Sequence, residues 1–294
     1  MKYDWMHEHR VTYRLARMCS ALQVSRSGYY KHCSRGISTR DYSDAGIVVA
    51  LQQLAVTHAY RYGSPRMTVA LGREGLRCSE NRVARLMRVN GLGARRKKQY
   101  RKTTQQDRKA IASPNHLRQC FRVYSINRVW LTDITYIYTK EGWLFLTAVL
   151  DLGSRRIVGW SMQNTLEQRG TLEALQQALG RRRPPEGLLI HSDRGSQFTS
   201  HAYRGLLRAH KITQSMSGTG NCYDNAPMES FFGTLKNELV HQCQYKTRAE
   251  ACRSIFDYIE SYYNTERIHS ALGYQTPAEW EQQQEQNSIE KLGE

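Results

Sequence analysis

The sequence predicts a mixed α/β sheet layered with helices and preceded by a helical region. Three observations predict this fold. Five short runs rich in β-branched and aromatic residues lie between residues 129 and 216. Helical periodicity fills the intervals between the later runs, and residues before 128 carry helix signals instead. Strands that first follow one another through a tight turn, and then alternate with helices, give a five-stranded sheet with antiparallel and parallel parts.

Residues 10 to 33 read as two short helices. Val11, Leu15, Met18 and Leu22 recur at helical spacing, and Ser25 is an N-cap before Gly28-Tyr29-Tyr30. The pair fits a helix-turn-helix remnant or a small packing unit equally well. Residues 41 to 60 follow as a fuller helix, with Ile47, Leu51, Leu54 and Ala55 on one face and Asp44 near its start. Ser64-Pro65 then supplies an N-cap and a proline at the first helical position, and Gly75 stops that helix. The next helix starts at Ser79, turns Val83, Leu86 and Met87 inward and Arg82, Arg85 and Arg88 outward, and ends at Asn90-Gly91. Two short helices about a tight turn, the second lined with arginines, match helix-turn-helix DNA readers, although charge on an exposed face is also what plain solvation gives.

Arg95, Arg96, Lys97 and Lys98 head a basic run without periodicity that leads to Ser113-Pro114. Such a linker lies along phosphates, which position a protein without specifying sequence, or it is merely a solvated tether. Strands are expected at 129–138, 143–151, 156–162, 188–191 and 212–216, with Lys140-Glu141-Gly142 as the first turn. Thr165 caps a helix holding Leu166, Leu172, Leu175 and Leu179, and another helix runs from about Ser200 to His210. Thr247 opens a long helix with Ala251, Ile255, Tyr258, Ile259 and Tyr262 at helical spacing. Beyond Glu281 the Gln- and Glu-rich tail has almost nothing to bury and is expected to fray.

The net charge of +17 is unevenly spread. Lys and Arg outnumber Asp and Glu by 25 to 7 over residues 1–125 but trail them, 18 to 19, over 126–294. So basic a first part attracts polyanions, and nucleic acid is the partner it predicts. The longest strongly apolar stretch, Trp143 to Leu150, is too short to span a bilayer, and the charged N-terminus has no apolar signal segment. No membrane partner is expected, and the location expected is cytoplasmic. Seven scattered cysteines with no Cys-x-x-Cys fit a reducing compartment, and His7, His9, Cys19, His32 and Cys33 match no standard zinc spacing.

The chemistry rests on acids. Asp133 lies mid-strand, Asp193 at the carboxyl end of another strand, and Glu229 in the first turns of a helix, with 35 residues between the last two. In open α/β sheets ligands collect beyond the carboxyl ends of strands. Three carboxylates without a thiolate or histidine set favour a hard cation, Mg²⁺ or Mn²⁺, and two such ions support in-line phosphoryl displacement. Any one of the acids alone reads equally as an ordinary strand-end or helix N-terminal charge. Lys236 falls two helical turns after Glu229 on the same face, where it meets a DNA phosphate or stays an exposed lysine, with Gly233 leaving room between. Asp224 and Asn225 are expected to cap that helix.

These stretches carry a resemblance. Trp130-Leu131-Thr132-Asp133-Ile134-Thr135-Tyr136, His191-Ser192-Asp193-Arg194-Gly195-Ser196-Gln197, Tyr223-Asp224-Asn225-Ala226-Pro227-Met228-Glu229-Ser230-Phe231-Phe232, the Lys236 offset and Tyr263-Asn264-Thr265-Glu266-Arg267-Ile268-His269-Ser270 resemble the second-frame product of insertion-sequence transposases of the IS-three family. That family is similar to retroviral integrases. The resemblance implies an RNase H-like core and a DDE triad of Asp133, Asp193 and Glu229 holding the metal. It further implies a helix-turn-helix-like DNA-binding unit, and metal-dependent cleavage at element ends with transfer of a 3′ hydroxyl to new DNA. The expected division is an N-terminal helical segment at 1–40, the helix-turn-helix-like unit at 41–100, a basic linker at 101–125, the catalytic core at 126–280 and a tail at 281–294. DNA at the element ends and target, a homo-oligomer on DNA and an upstream reading-frame product are the expected partners, since the chain shows no leucine zipper of its own. A non-catalytic DNA-binding regulator and a metal-dependent nuclease are the alternatives.

Overall fold

The computed structural model describes residues 2–34, 39–94, 113–122, 125–218 and 222–293, so the basic run Arg95 to Lys98 lies outside the described residues. The chain divides into two compact units, residues 1–94 and 95–294.

The first unit is helical. α1 (Lys2–Glu8), α2 (Leu15–Ala21) and α3 (Arg26–Cys33) enclose Met6, Met18, Cys19 and Tyr29. The Ser25 hydroxyl accepts the Gly28 N–H at 3.0 Å, the cap the sequence signals. Val11 lies outside α2 and is exposed, so the apolar stripe begins at Leu15. No three of the histidines and cysteines here, or of any acids among the described residues, are grouped to hold a metal.

α4 (Thr39–Thr57), α5 (Ser64–Arg73) and α6 (Glu80–Val89) pack together over Leu51, Leu54, Met67, Leu71, Val83 and Leu86. Gly63 is the N-cap of α5, so Ser64 opens the helix itself and Pro65 sits in its first turn, where no backbone donor is needed. Gly75 and Gly91, at φ of 83° and 67°, turn the chain out of α5 and α6 in the left-handed region that favours glycine.

The second unit is built on a sheet. β1 (Val129–Thr139), β2 (Gly142–Asp151) and β3 (Ile157–Gln163) run antiparallel; β4 (Leu189–Ser192) and β5 (Thr213–Met216) join in parallel, giving the order β3-β2-β1-β4-β5. α7 (Gln168–Arg182) lies on β2 and β3, and α8 (Ser196–Thr199) and α9 (His201–Ala209) connect β4 to β5. Their core gathers Trp130, Val149, Leu175, Ile190, Phe198, Tyr203 and Met216. A Cβ on Gly159 would stand 2.2 Å from the Ala174 carbonyl oxygen, so only glycine lets α7 come this near to β3. α7 starts after Glu167, which leaves Thr165 and Leu166 in the preceding loop, contrary to the expected cap.

α10 (Ala226–Glu238), α11 (Arg248–Asp257) and α12 (Pro277–Gly293) complete the unit. Thr247 and Glu250 form a reciprocal cap: the Thr247 hydroxyl accepts the Glu250 N–H and the Glu250 carboxylate accepts the Lys246 N–H. The expected long helix does not continue as α; Tyr258–Tyr263 form a π-helical segment whose looser turn brings Tyr258, Tyr262 and Tyr263 inward together. The tail beyond Glu281, expected to fray, is helical, although residues 282–290 stay largely exposed as their composition predicts. It belongs to α12, and Glu281 within that helix is buried, accepting Arg156 Nη1 at 2.8 Å and Arg182 at 2.6 and 3.0 Å. A long-range ion pair supplies the burial that the local composition lacks.

Candidate active site

The sheet register aligns the first two acids. Leu131 pairs with His191 across the parallel β1–β4 edge, so Asp133 and Asp193, each two residues further on, come level just beyond it. Asp193 leaves β4 in a turn whose Gly195 N–H donates to its own carboxylate at 2.9 Å. Below it the imidazole of His191, fully buried, is held between the hydroxyls of Ser215 and Ser217 at 2.9 and 3.2 Å, and burial pushes its pKa down to about 4. It is a neutral spacer in the sheet.

α10 brings the third acid. Met228, Phe231, Phe232 and Leu235 fix its buried face against the core, which leaves Glu229, Gly233 and Lys236 on the other side at helical spacing. A Cβ added at Gly233 would meet open space. Asn225 holds the N-cap position, as expected, but its side chain makes no cap hydrogen bond; its amide donates to the Thr132 carbonyl at 3.3 Å and ties the helix start to the residue before Asp133. Asp224, contrary to expectation, does not cap the helix. Buried, it accepts Asn115 Nδ2, Gln119 Nε2 and the Gly218 N–H at 2.9, 2.9 and 2.7 Å and closes a loop.

The far end of α10 is clamped. Glu238 receives a two-pronged hydrogen bond from Arg267, 2.8 and 2.9 Å, and another from the Tyr258 hydroxyl at 2.8 Å, while His269 Nε2 lies 3.2 Å from the guanidinium. Arg267 is 3% exposed, so this pair is held away from water. Arg267 and His269 stand in the motif singled out above, but nothing in their spacing announces the partner on α10.

Burial and neighbouring charges act on these groups together. Asp133 is pushed up to about 8, first by burial and next by the charge of Asp193, with Glu229 adding; the Ile134 N–H and the charge of Lys236 act in the opposite direction. Asp193 is raised by burial against the single Gly195 N–H. Lys236 is pushed down by burial, while Asp133 favours its charged form. The structure thus brings Asp133, Asp193, Glu229 and Lys236 into one field. Repelling carboxylates are relieved by a proton or by a cation, and an all-oxygen donor set suits a hard divalent ion. As they stand, no three of the acids are gathered tightly enough to ligate a single ion.

The arginines of α6 are placed otherwise than expected. Arg82 and Arg85 do not point freely outward; both turn to Asp44 on α4, Arg82 Nε at 2.7 Å and Arg85 Nη2 at 2.5 Å, and Arg82 also reaches the Ser43 hydroxyl. Hydrogen bonds from Arg85 and Arg82 hold the Asp44 carboxyl below the usual range in spite of partial burial. Arg88 alone of the three is exposed.

Comparison with known proteins identifies the family of each unit. The integrase core domain family matches residues 124–222 and, in a second segment, 229–284, and an HTH-like domain family matches 42–100. The transposase InsF for insertion sequence IS3A of Escherichia coli (strain K12) is 37% identical over 287 residues, 96% of this chain and 98% of that one. The chain belongs to the transposases of this insertion-sequence family. The transposase for insertion sequence element IS904 of Lactococcus lactis subsp. lactis (strain IL1403) is 44% identical over 224 residues, 76% of this chain and 88% of that one. Among solved structures, the HTLV-2 integrase catalytic core domain in complex with magnesium (dimeric form) matches 52% of this chain and 94% of its own, at 19% identity and a TM-score of 0.39. This transposase therefore has an integrase core and an HTH-like unit, and no helix among its described residues is long and apolar enough to cross a membrane.

Proposed function

We propose that this transposase is a DDE polynucleotidyl transferase in which Asp133, Asp193 and Glu229 hold divalent cations, Mg²⁺ or Mn²⁺, two at a time, to cleave DNA at insertion-sequence ends and transfer the 3′ hydroxyl to target DNA. The observation that carries this reading is the β1–β4 register that brings Asp133 level with Asp193, where the charges of Asp193 and Glu229 add to burial in raising Asp133. Such ions, when bound, activate the attacking oxygen and stabilise the leaving one. Lys236 faces the same field and is placed to meet a phosphate of the bound strand, and the open side of Gly233 gives that strand room. The HTH-like unit, with Arg88 foremost and the basic run from Arg95 to Lys98, brings the DNA, from a cytoplasmic, nucleoid-associated location. Assembly as a homo-oligomer on the DNA, with or without an upstream reading-frame product, completes the reading.

Joining of labelled element-end DNA in Mg²⁺ or Mn²⁺ tests it. Asp133→Asn, Asp193→Asn and Glu229→Gln are each expected to lower joining by about 10³-fold or more while leaving DNA binding intact. Retained joining in any of the three would refute the triad. Cleavage without joining in the unaltered chain would favour a nuclease, and neither activity a regulator.

A further inference from the structure

We propose that the β1–β2 hairpin carries a base-stacking site for unpaired nucleotides of DNA, formed by Tyr136, Tyr138 and Trp143. Tyr136 pairs with Phe145 and Tyr138 with Trp143 across the antiparallel ladder, so the four rings share one face. They pack edge to face, with centroids 5.2 Å apart for Tyr136 and Phe145, 5.5 Å for Tyr138 and Trp143 and 6.3 Å for Tyr136 and Trp143. Yet Tyr136, Tyr138 and Trp143 remain 46%, 65% and 51% exposed, a contiguous aromatic patch rather than a scatter of single side chains.

Three features point to nucleobases as the occupant. The patch shares β1 with the first acid: Tyr136 follows Asp133 by three residues, on the other face of the strand, and its phenol is raised by burial and then by the charges of Asp193 and Asp133. Cations stand at its turn end, with Lys140 exposed at the hairpin turn, Lys246 exposed nearby, and Arg248 donating from Nε to the Trp143 carbonyl at 3.0 Å, alongside the acids Glu141 and Glu250. Aromatic faces interleaved with cations suit single-stranded nucleic acid, because every base offers a π-face and every nucleotide a phosphate. The platform is also stiff. The Lys140 N–H bonds the Tyr245 carbonyl, the Arg248 N–H bonds Glu141, and the Thr139 hydroxyl bonds the Gly142 carbonyl, so the rings are presented without an ordering cost.

This inference rests on the transposase reading for its substrate, but its test does not depend on the metal reaction. The full chain is titrated in EDTA with two probes: a blunt duplex, and the same duplex with a three-nucleotide 3′ tail carrying 2-aminopurine. The unaltered chain is expected to prefer the tailed duplex and to quench the probe. In Tyr138→Ala/Trp143→Ala the preference should fall about 5-fold or more with the quenching lost, blunt-duplex affinity should hold, and Tyr138→Phe/Trp143→Phe should keep the preference. No preference in the unaltered chain, an unchanged preference in the alanine variant, or an equal loss on both probes would overturn the proposal. Loss of joining in the triad variants bears on the catalytic reading alone, since no divalent ion enters this titration.

Discussion

Asp133 and Asp151 lie on neighbouring strands of one sheet, the first half-buried and the second fully enclosed, both raised by burial, yet they are opposite kinds of acid. Asp151 is fully enclosed and accepts four donors: the Asn127, Gly153 and Ser154 N–H groups at 2.6, 2.8 and 3.1 Å and Trp130 Nε1 at 3.2 Å. Asp133 has the Ile134 N–H at 2.8 Å and faces two further carboxylates. The donors around Asp151 and Asp224 make those acids part of the frame. The repulsion around Asp133 makes it part of a site, because only a further cation or proton offsets it. The same contrast separates the arginines of α6: Arg82 and Arg85 are committed to Asp44, and Arg88 is exposed.

Removing an acid of the frame is expected to have the largest effect on stability. Asp151→Ala strands four donors and should cost about 3 kcal/mol or more in denaturant unfolding, with joining per folded molecule nearly unchanged. An unaltered unfolding midpoint would break the contrast. A smaller effect is expected at Glu281. Burial raises its carboxyl, but the hydrogen bonds and charge of Arg182, together with Arg156, outweigh burial and hold it below the usual range. A depressed carboxyl contributes stability above its unfolded pKa of about 4.3 and loses it as pH falls through the folded value. Glu281→Gln should therefore cost about 1 to 2 kcal/mol at pH 7 and flatten the acid limb of the stability profile. A variant that tracks the unaltered chain down to acid pH would show the pair to be idle. The smallest effect is expected at Arg88, where Arg88→Ala should reduce the salt slope of DNA binding by about one contact, near 0.9 in log units. An unchanged slope would remove α6 from the interface.

The contrast also explains what could be read from the chain. All five strands were legible within a residue or two, because alternating or continuous β-branched runs between turns have few other ways to bury themselves. Asp133, Asp193 and Glu229 stood out as acids in strand and helix settings. Their convergence, though, depends on the β1–β4 register and on α10 being tied at Asn225 and clamped at Glu238, which no local pattern encodes. The same limit hid the partners of Arg82, Arg85 and Glu281, since each lies far along the chain. α1 escaped notice because one inward residue, Met6, in a short polar stretch leaves no stripe.

Metal uptake tests the central claim most directly. Mn²⁺ binding to the full chain, followed by electron paramagnetic resonance, is expected to show two bound ions. Asp133→Asn and Asp193→Asn should weaken that uptake by at least about tenfold, while Asp224→Asn should preserve it. Equal uptake by the Asp133, Asp193 and Asp224 variants would contradict the account, because the acids of the site would then bind no better than the acids of the frame.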